Sequence, residues 1–356
     1  MAEKAWPPDA GPRSAIHGAP PLHTALRDGR NAEGMRRRGG GAASSASAAK
    51  GAPAVRHIGR FPINTPAAAI LLRIQAMHAN TSPIQLIALD LDGTLLNAKK
   101  ELTPVCRQAL ESAADAGILI VPATGRFFDA MPEAVRALPF LRYAITINGA
   151  QALDIQRARS IYRAEIPCRQ AIEIMSYLDA LPVIYDCYMN DCGWMTRSFQ
   201  QQVETFTPDP YSIAMIRKLR RPVDELKRFL AEHGADVQKI QLFTRDAALR
   251  AELLAHLAER FEALSVSSSV PNNVEINNIR ANKGDALQKL AAHLGIPIAN
   301  TMAFGDGLND ISMIRTAGLG VAMGNAVPEV LATADAVTAS CDADGVAEGI
   351  LRYCFV

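Results

Sequence analysis

The chain has 356 residues, of which 49% are hydrophobic and 21% charged, a composition typical of globular proteins and long enough for two domains. Residues 1–76 hold eleven Lys and Arg against four Asp and Glu, so the rest of the chain has a net charge of −6 although the total is +1. An acidic body with 6% aromatic residues and no long apolar run predicts neither a nucleic-acid nor a membrane partner.

The six cysteines are scattered along the chain and contain no CxxC pair. A zinc site is therefore not expected. In a chain of this length an even number of cysteines does not indicate a disulfide framework either. We predict reduced thiols in a cytoplasmic protein.

Residues 1–80 differ in composition from everything after them. The stretch RRRGGGAASSASAAKGAPA is rich in Gly, Ala, Ser and Arg, and such a segment buries too little apolar surface to fold. Three hypotheses are open: an organelle transit peptide, a basic arm that binds polyanions, or a segment upstream of a natural start at Met77. We favour the third, because a compact domain follows Met77 directly. A transit peptide would instead place the protein in an organelle.

From residue 84 onward, apolar runs alternate with helical patterns. Residues 84–91 form an apolar run of the buried-strand type. A helix is predicted from Pro104, with Thr103 as its N-cap and Gly117 as its stop. The elements predicted next are a strand over residues 118–121, a helix over residues 128–138 and a strand over residues 144–147.

The same alternation returns near the end of the chain. A helix is predicted over residues 283–294, stopped by Gly295, with His293 on its apolar face and therefore in the core. The elements predicted after it are a strand over residues 301–304, a helix, strands over residues 319–323 and 336–340 with a helix over residues 328–334 between them, and a last helix from Asp344.

Alternating strands and helices predict a doubly wound, mainly parallel α/β sheet covered by helices. The middle of the chain has longer polar stretches, which are typical of an antiparallel α+β module inserted into that sheet. We predict four segments: a low-complexity leader (1–80), the first part of the core (81–165), the inserted domain (166–278) and the second part of the core (279–356).

Polar residues cluster where the predicted core strands end. Ligands of such sheets bind at the carboxyl ends of the strands, so we expect these groups to converge at one edge, together with Lys283 at the start of its helix. The four clusters are Asp90 and Asp92, Thr124-Gly125-Arg126, Asn148-Gly149, and Asp306 with Asn309 and Asp310.

These residue types point to phosphoryl chemistry. Several carboxylates near one point cannot all stay ionised without a cation, and all-oxygen ligands favour Mg²⁺. A lysine and a threonine hydroxyl beside them supply positive charge and a hydrogen bond for a phosphoryl oxygen. The sequence has no GxSxG and no HExxH motif, so a nucleophile, if the reaction uses one, is a carboxylate.

The motifs DLDGTLL, PATGR, NKGDAL, GDGLNDISMI, VAMGNA and DGVAEGI together resemble the haloacid dehalogenase superfamily. Within it, residues 84–356 are similar to the Cof-like hydrolases, which are phosphatases with a large α/β cap inserted after the third core strand. The resemblance implies a Rossmann-like core, a cap over residues 166–278, and a Mg²⁺-dependent phosphatase. Its substrate would be a small phosphorylated metabolite, such as a sugar phosphate or a phosphorylated cofactor.

The resemblance also implies the roles of three aspartates. Asp90 would attack phosphorus and form an aspartyl-phosphate. Asp92 would protonate the leaving oxygen and then take a proton from the hydrolytic water. Mg²⁺ would be held by a carboxylate oxygen of Asp90, the backbone carbonyl of Asp92, and Asp306.

The remaining motif residues would surround the phosphoryl group. The resemblance implies that Thr124, Gly125, Lys283 and Asn309 bind it, and that Asp310 orients Lys283 or lies behind the metal ligands. For Asp310, a purely structural N-cap role stays open.

Two further residues are candidates for substrate contact. Arg126 follows the phosphate-binding turn, but a solvated residue at the start of a helix is an equally good interpretation. Asn148-Gly149 is a strong turn dipeptide, so a turn role for Asn148 is favoured over ligand binding.

Two other functions stay open. A phosphotransferase or phosphomutase would share every core residue and pass the phosphoryl group to a hydroxyl instead of water. A non-catalytic phosphate-binding regulator is the least favoured, because both catalytic aspartates are present. The sequence leaves the oligomeric state and the individual substrate open.

Overall fold

A computed structural model of the chain describes residues 84–355, and the hypotheses about residues 1–80 and Met77 lie outside that range. The strands of the described residues are, in chain order, β1 (Leu86–Leu89), β2 (Leu119–Pro122), β3 (Tyr143–Thr146), β4 (Gln151–Asp154), β5 (Arg159–Arg163), β6 (Ile184–Met189), β7 (Cys192–Thr196), β8 (Arg220–Val223), β9 (Lys239–Phe243), β10 (Leu264–Ser267), β11 (Asn273–Asn278), β12 (Thr301–Gly305), β13 (Leu319–Ala322) and β14 (Ala336–Val337).

The α-helices of the same residues are α1 (Pro104–Asp115), α2 (Glu133–Arg136), α3 (Cys168–Leu178), α4 (Arg197–Gln201), α5 (Val203–Phe206), α6 (Pro210–Leu219), α7 (Leu226–His233), α8 (Ala247–Arg260), α9 (Lys283–Leu294), α10 (Ile311–Thr316), α11 (Pro328–Thr333) and α12 (Gly345–Cys354).

The central sheet is parallel and has the strand order β14-β13-β12-β1-β2. All four residues of β1 are buried, because a strand in the middle of such a sheet is covered on both faces and must be apolar throughout. Helices flank the sheet, with α1 packed against α12 and α9 packed against α10. This architecture confirms the predicted fold class.

The third predicted strand, β3, lies beside β2 and is joined to it by one parallel bridge between Ala123 and Ile145. Its main partner is β4, which pairs antiparallel with it, and β5 extends this smaller sheet to three strands. The sequence pattern predicts β3 but not the β4–β5 hairpin. Asn148 lies in the turn between β3 and β4 with φ of 56°.

A six-stranded sheet is inserted between β5 and α9, with the order β10-β11-β9-β6-β7-β8. Its neighbouring strands are antiparallel except for the parallel pair β7 and β8. Apolar residues of α3, α7 and α8 cover one of its faces and form a second hydrophobic core. We call this inserted module the cap; its predicted boundaries, 166 and 278, stay predictions.

The local start and stop signals of the core helices act as expected. The Thr103 side chain accepts a hydrogen bond from the backbone N–H of Cys106 at 3.1 Å, and α1 begins at Pro104. Gly295 ends α9 with φ of 70°, a left-handed conformation that glycine adopts without strain. His293, which we expected in the core, is exposed, so that prediction was wrong.

The prediction of a single helix over residues 128–138 was also wrong. The segment contains a 3₁₀ turn at Phe128–Ala130 and the short helix α2, separated by extended backbone at Met131 and Pro132. The proline ring excludes the helical conformation for the residue before it, and Met131 accordingly has ψ of 145°.

Gly284, the second residue of α9, allows this helix to lie directly against α10. A Cβ atom at this position would be 2.4 Å from the backbone oxygen of Ser312, which cannot move aside without displacing α10. We predict that Gly284→Ala lowers the free energy of unfolding by about 1–3 kcal/mol, despite the better helix propensity of alanine. Thermal denaturation checks this, with Gln288→Ala on the exposed face of α9 as the control that should change nothing.

Candidate active site

Three core strands place their carboxyl ends side by side. In the sheet register, Leu89 at the end of β1 pairs with Pro122 of β2 on one side and with Phe304 of β12 on the other. The residues that follow each strand therefore emerge at one edge: Asp90 after β1, Thr124 after β2 and Asp306 after β12. The convergence that the sequence analysis expected at this edge is thus present for these three residues.

Lys283 joins two aspartates at the centre of the site. Its Nζ atom is 2.5 Å from Oδ1 of Asp90 and 2.6 Å from Oδ1 of Asp310, and its side chain is completely buried. Burial opposes the charge of Lys283, but the two carboxylates outweigh it and raise the pKa of the ammonium group well above its usual range. The lysine is therefore a fixed positive charge against Asp90.

The loop after β12 is held by Asp310. Its Oδ2 atom accepts hydrogen bonds from the backbone N–H groups of Asp306 and Gly307, each at 2.9 Å. Because its other oxygen contacts Lys283, Asp310 fixes both the lysine and the backbone that carries Asp306.

The turn after β1 packs closely against Asp306. Thr94 donates a hydrogen bond from its hydroxyl to Oδ1 of Asp306 at 2.8 Å. A Cβ atom on Gly93 would lie 2.4 Å from Oδ2 of the same carboxylate, and Gly93 has φ of 93°. Only glycine fits here, which explains the Asp-Gly dipeptide in the DLDGT motif.

The three carboxylates of Asp90, Asp306 and Asp310 form a cluster that suits a metal ion. One oxygen from each lies within 4.8 Å of the others. Burial raises the pKa of Asp90 and of Asp306, and the neighbouring carboxylates add to the effect, whereas Lys283 opposes it in both cases. A divalent cation would relieve this repulsion, and an all-oxygen donor set fits Mg²⁺ by its chemistry.

The carboxylate of Asp92 is paired with two cationic side chains. Arg126 donates to it through two nitrogens, Nε and Nη2, at 2.9 Å each, and the Nζ atom of Lys100 is 3.0 Å away. Partial burial alone would raise the pKa of Asp92, but Arg126 and then Lys100 outweigh it and lower the pKa. Arg126, proposed from sequence as a substrate residue or a solvated one, is therefore a partner of Asp92.

The turn after β2 carries the predicted phosphate-binding pair. Thr124 is buried, and its hydroxyl oxygen accepts a hydrogen bond from the backbone N–H of Arg126 at 3.2 Å. Gly125 lies directly under Asn148, since a Cβ atom at Gly125 would be 2.8 Å from Oδ1 of that asparagine. Asn148 in turn accepts a hydrogen bond from Nδ2 of Asn309 at 3.3 Å, so these residues are brought together.

Two cap residues reach the same turns, and sequence reasoning missed both. Glu275 of β11 accepts a hydrogen bond from Asn148, and the ammonium group of Lys239 of β9 donates to the backbone oxygen of Gly125 at 3.5 Å. Their only sequence signal is a polar residue at every second position of a buried strand, which indicates a polar surface on one face of the cap sheet.

The sequence model of the haloacid dehalogenase-like hydrolases matches residues 87–350, which include every residue of the site described above. The chain belongs to this family. It is therefore an enzyme of the haloacid dehalogenase type, and the resemblance drawn from its motifs is confirmed. Among the described residues, no helix is both long and apolar enough to cross a membrane.

Named members of the family are similar over most of their length. The 5-amino-6-(5-phospho-D-ribitylamino)uracil phosphatase YcsE of Bacillus subtilis is 32% identical over 76% of this chain and 96% of its own. The pyridoxal phosphate phosphatase YbhA of Escherichia coli is 30% identical over 76% of this chain and 98% of its own. A haloacid dehalogenase-like hydrolase from Bacteroides thetaiotaomicron has a similar structure, with a TM-score of 0.65 and 29% identity over 76% of this chain and 99% of its own.

Proposed function

We propose that the protein is a Mg²⁺-dependent phosphatase that hydrolyses a small phosphorylated metabolite through an aspartyl-phosphate. The observation that carries the proposal is the placement of Asp90, at the rigid end of a buried strand, against the fixed charge of Lys283 and beside Asp306. The similarity to phosphatases named for two different phosphorylated metabolites supports the reaction type.

In the first step, a carboxylate oxygen of Asp90 attacks phosphorus and the bond to the leaving oxygen breaks. Asp92 gives that oxygen a proton. In the second step, water attacks the phosphorus of the aspartyl-phosphate and Asp92 takes a proton from it. The bond between phosphorus and the Asp90 oxygen breaks, which releases inorganic phosphate and restores the Asp90 carboxylate. The lowered pKa of Asp92 beside Arg126 keeps its carboxylate ionised, which is the form that takes up a proton in the second step. An incoming phosphate dianion competes for Arg126, and it thereby favours the protonated form of Asp92 that acts as the acid in the first step.

The residues around Asp90 would stabilise the charge of the transferring phosphoryl group. Lys283 supplies a positive charge, and the Thr124 hydroxyl, the Gly125 turn and the Asn309 amide supply hydrogen bonds. In-line phosphoryl transfer depends mainly on such positioning and electrostatic stabilisation. Asp310 holds Lys283 and the Asp306 backbone in place for this purpose.

We assign the Mg²⁺ site to Asp90, the backbone carbonyl of Asp92, and Asp306. When bound, the ion neutralises the carboxylates and polarises a phosphoryl oxygen. Asp310 also lies within the carboxylate cluster, but both of its oxygens are already engaged by Lys283 and by backbone N–H groups. For that reason we place Asp310 behind the metal ligands and not among them.

A small substrate is favoured because the cap lies over the site. Glu275 and Lys239 of the cap contact the turns that carry Asn148 and Gly125, so a bulky macromolecule would have to displace the cap to reach Asp90. A sugar phosphate or a phosphorylated cofactor fits this requirement, and we propose a soluble small molecule of that class as the substrate.

Removal of the metal tests the proposal. We expect the purified protein to hydrolyse an aryl phosphate with added Mg²⁺, and chelation with EDTA to lower the rate by more than about 100-fold, because the metal contributes several kcal/mol to the transition state. Restoring Mg²⁺ should restore the rate, and Ca²⁺ serves as the matched control ion. Turnover that is equally fast in EDTA would show that the proposal is wrong.

A further inference from the structure

Glu275 lies in β11 on the face of the cap sheet opposite to helices α3, α7 and α8. Its neighbours Val274 and Ile276 belong to the hydrophobic core of the cap, and successive strand residues point to opposite faces. Glu275 is only 4% exposed, so its charge is buried between the cap and the core. A buried carboxylate in this place needs partners, and one of them comes from the core.

A row of hydrogen bonds runs from Glu275 into the phosphate site. Oε2 of Glu275 accepts from Nδ2 of Asn148 at 3.0 Å, and Oδ1 of Asn148 accepts from Nδ2 of Asn309 at 3.3 Å. The three residues come from the cap, from the turn after β3 and from the loop after β12. The row therefore connects the cap to the loop that also carries Asp306 and Asp310.

The carboxylate sets the direction of every hydrogen bond in this row. An ionised carboxylate can only accept, so the Asn148 amide must turn its nitrogen to Glu275 and its oxygen to Asn309. Asn309 must then point its own nitrogen toward Asn148, and the second hydrogen of that nitrogen can donate to a phosphoryl oxygen. A reversed Asn309 amide would instead present its oxygen to an anion.

Lys239 keeps Glu275 in the ionised form. The Nζ atom of Lys239 is 3.3 Å from Oε1 of Glu275, and the Ser269 hydroxyl donates to the same oxygen at 2.7 Å. Burial alone would raise the pKa of Glu275, but Lys239, Ser269 and Asn148 together outweigh it and lower the pKa. Lys239 also donates to the backbone oxygen of Gly125, which ties the second phosphate-binding turn to the same pair.

We propose that Glu275 is a positioning residue for the phosphoryl group, and that it acts through Asn148 on the amide of Asn309. The inference rests on the proposed phosphatase function, since it assumes that Asn309 contacts the phosphoryl group. Glu275 of the cap then determines that the Asn309 amide presents its nitrogen to the phosphoryl group. The phosphate site is therefore complete only when the cap lies against the core.

Three variants test the proposal by the affinity for inorganic phosphate in the presence of Mg²⁺, measured by titration calorimetry. Glu275→Met keeps the length of the side chain but cannot accept, and it should weaken phosphate binding about tenfold, the equivalent of one hydrogen bond. In Glu275→Gln, Lys239 and Ser269 hold the amide oxygen on the far side, so the amide nitrogen faces Asn148, the row reverses, and phosphate binding should weaken by a similar factor. Ser269→Ala removes a partner on the far side of the same carboxylate, but Lys239 still pairs with Glu275 and keeps it ionised, so phosphate affinity should not change.

Kinetics with an aryl phosphate give a second measurement. For Glu275→Met we expect KM to rise by about the same tenfold factor, with a smaller change in kcat. Thermal denaturation of all three variants shows whether they fold. If Glu275→Met does not fold, Asn148→Gly tests the same row, because it removes the side chain that links Glu275 to Asn309. Glycine adopts the left-handed conformation of residue 148 without strain, and the variant should also weaken phosphate binding.

Phosphate affinity equal to that of the unmodified protein, in Glu275→Met or in its substitute Asn148→Gly, would overturn the proposal. So would equal weakening by Ser269→Ala and Glu275→Met, because both would then act through the stability of the cap. The proposed phosphatase function and the proposed role of Glu275 can fail separately. If the unmodified protein hydrolyses no aryl phosphate, the proposed function fails, whereas the calorimetric ranking of the variants still decides the role of Glu275.

Discussion

Asp90→Asn is expected to abolish phosphatase turnover, with a loss of at least about 10³-fold in kcat, because an amide cannot replace the carboxylate nucleophile. The change preserves the shape of the side chain. The amide oxygen can still accept a hydrogen bond from Lys283, whose Nζ atom lies 2.5 Å from Oδ1 of Asp90 in the unmodified protein. The variant therefore removes the chemistry with little change in packing.

The same substitution should not lower the stability of the fold. Burial raises the pKa of Asp90, so the folded protein bears a cost for its negative charge that a neutral amide does not have. We expect a melting temperature at or above that of the unmodified protein in the presence of EDTA. A low rate together with an intact fold separates loss of the nucleophile from unfolding.

The control is Asp115→Asn at the exposed end of α1, which changes the net charge by the same amount far from the site. It should leave kcat unchanged. If Asp90→Asn retained more than a tenth of the rate, the aspartyl-phosphate mechanism would be wrong. Acid quenching during turnover gives a direct check, since phosphate should be found on residue 90 of the unmodified protein and not on the variant.

Helix ends could be predicted from sequence because their signals are local. A threonine cap followed by proline begins α1, and a glycine stop ends α9, so these helix ends lie where their residues place them. The segment over residues 128–138 shows the limit of this reasoning. The spacing of its apolar residues suits a helix. Pro132, however, excludes the helical conformation for the residue before it, and this steric effect breaks the helix.

The members of the candidate site could be predicted from one rule of sheet topology, that parallel strands end at a common edge. The rule brought Asp90, Thr124 and Asp306 together, although more than 200 residues separate the first from the last. It does not supply side-chain partners, which depend on rotamers and loop paths. The pairing of Arg126 with Asp92 was therefore not predicted.

The contribution of the cap could not be predicted because it depends on which face of a strand meets the core. In β11 the polar residues Asn273, Glu275 and Asn277 alternate with apolar ones, which marks two different faces. Nothing in that alternation says that the polar face meets Asn148. That contact joins residues 127 positions apart and requires both the register of the cap sheet and its placement on the core.

Lys283→Met is expected to cost about 3–5 kcal/mol of unfolding free energy, the typical effect of breaking a buried ion pair by removing one partner. Lys283 is completely buried between Asp90 and Asp310, so its removal leaves two carboxylates facing each other with no cation between them. Denaturant unfolding in EDTA measures the loss without compensation by a metal. The phosphatase rate should also fall sharply, since the fixed positive charge on the phosphoryl group is gone.

A second substitution separates these two effects. In the double variant Lys283→Met with Asp310→Asn, the amide oxygen of residue 310 can still accept from the backbone N–H groups of Asp306 and Gly307, and the amide nitrogen can donate toward Asp90. The repulsion between the charges at positions 90 and 310 disappears, so at least half of the lost stability should return, while the rate stays low. If Lys283→Met lowered the unfolding free energy by less than about 1 kcal/mol, the typical effect of a single substitution, this account of Lys283 would be contradicted. A double variant no more stable than the single one would also contradict it, because the cost would then come from lost packing and not from the two carboxylates.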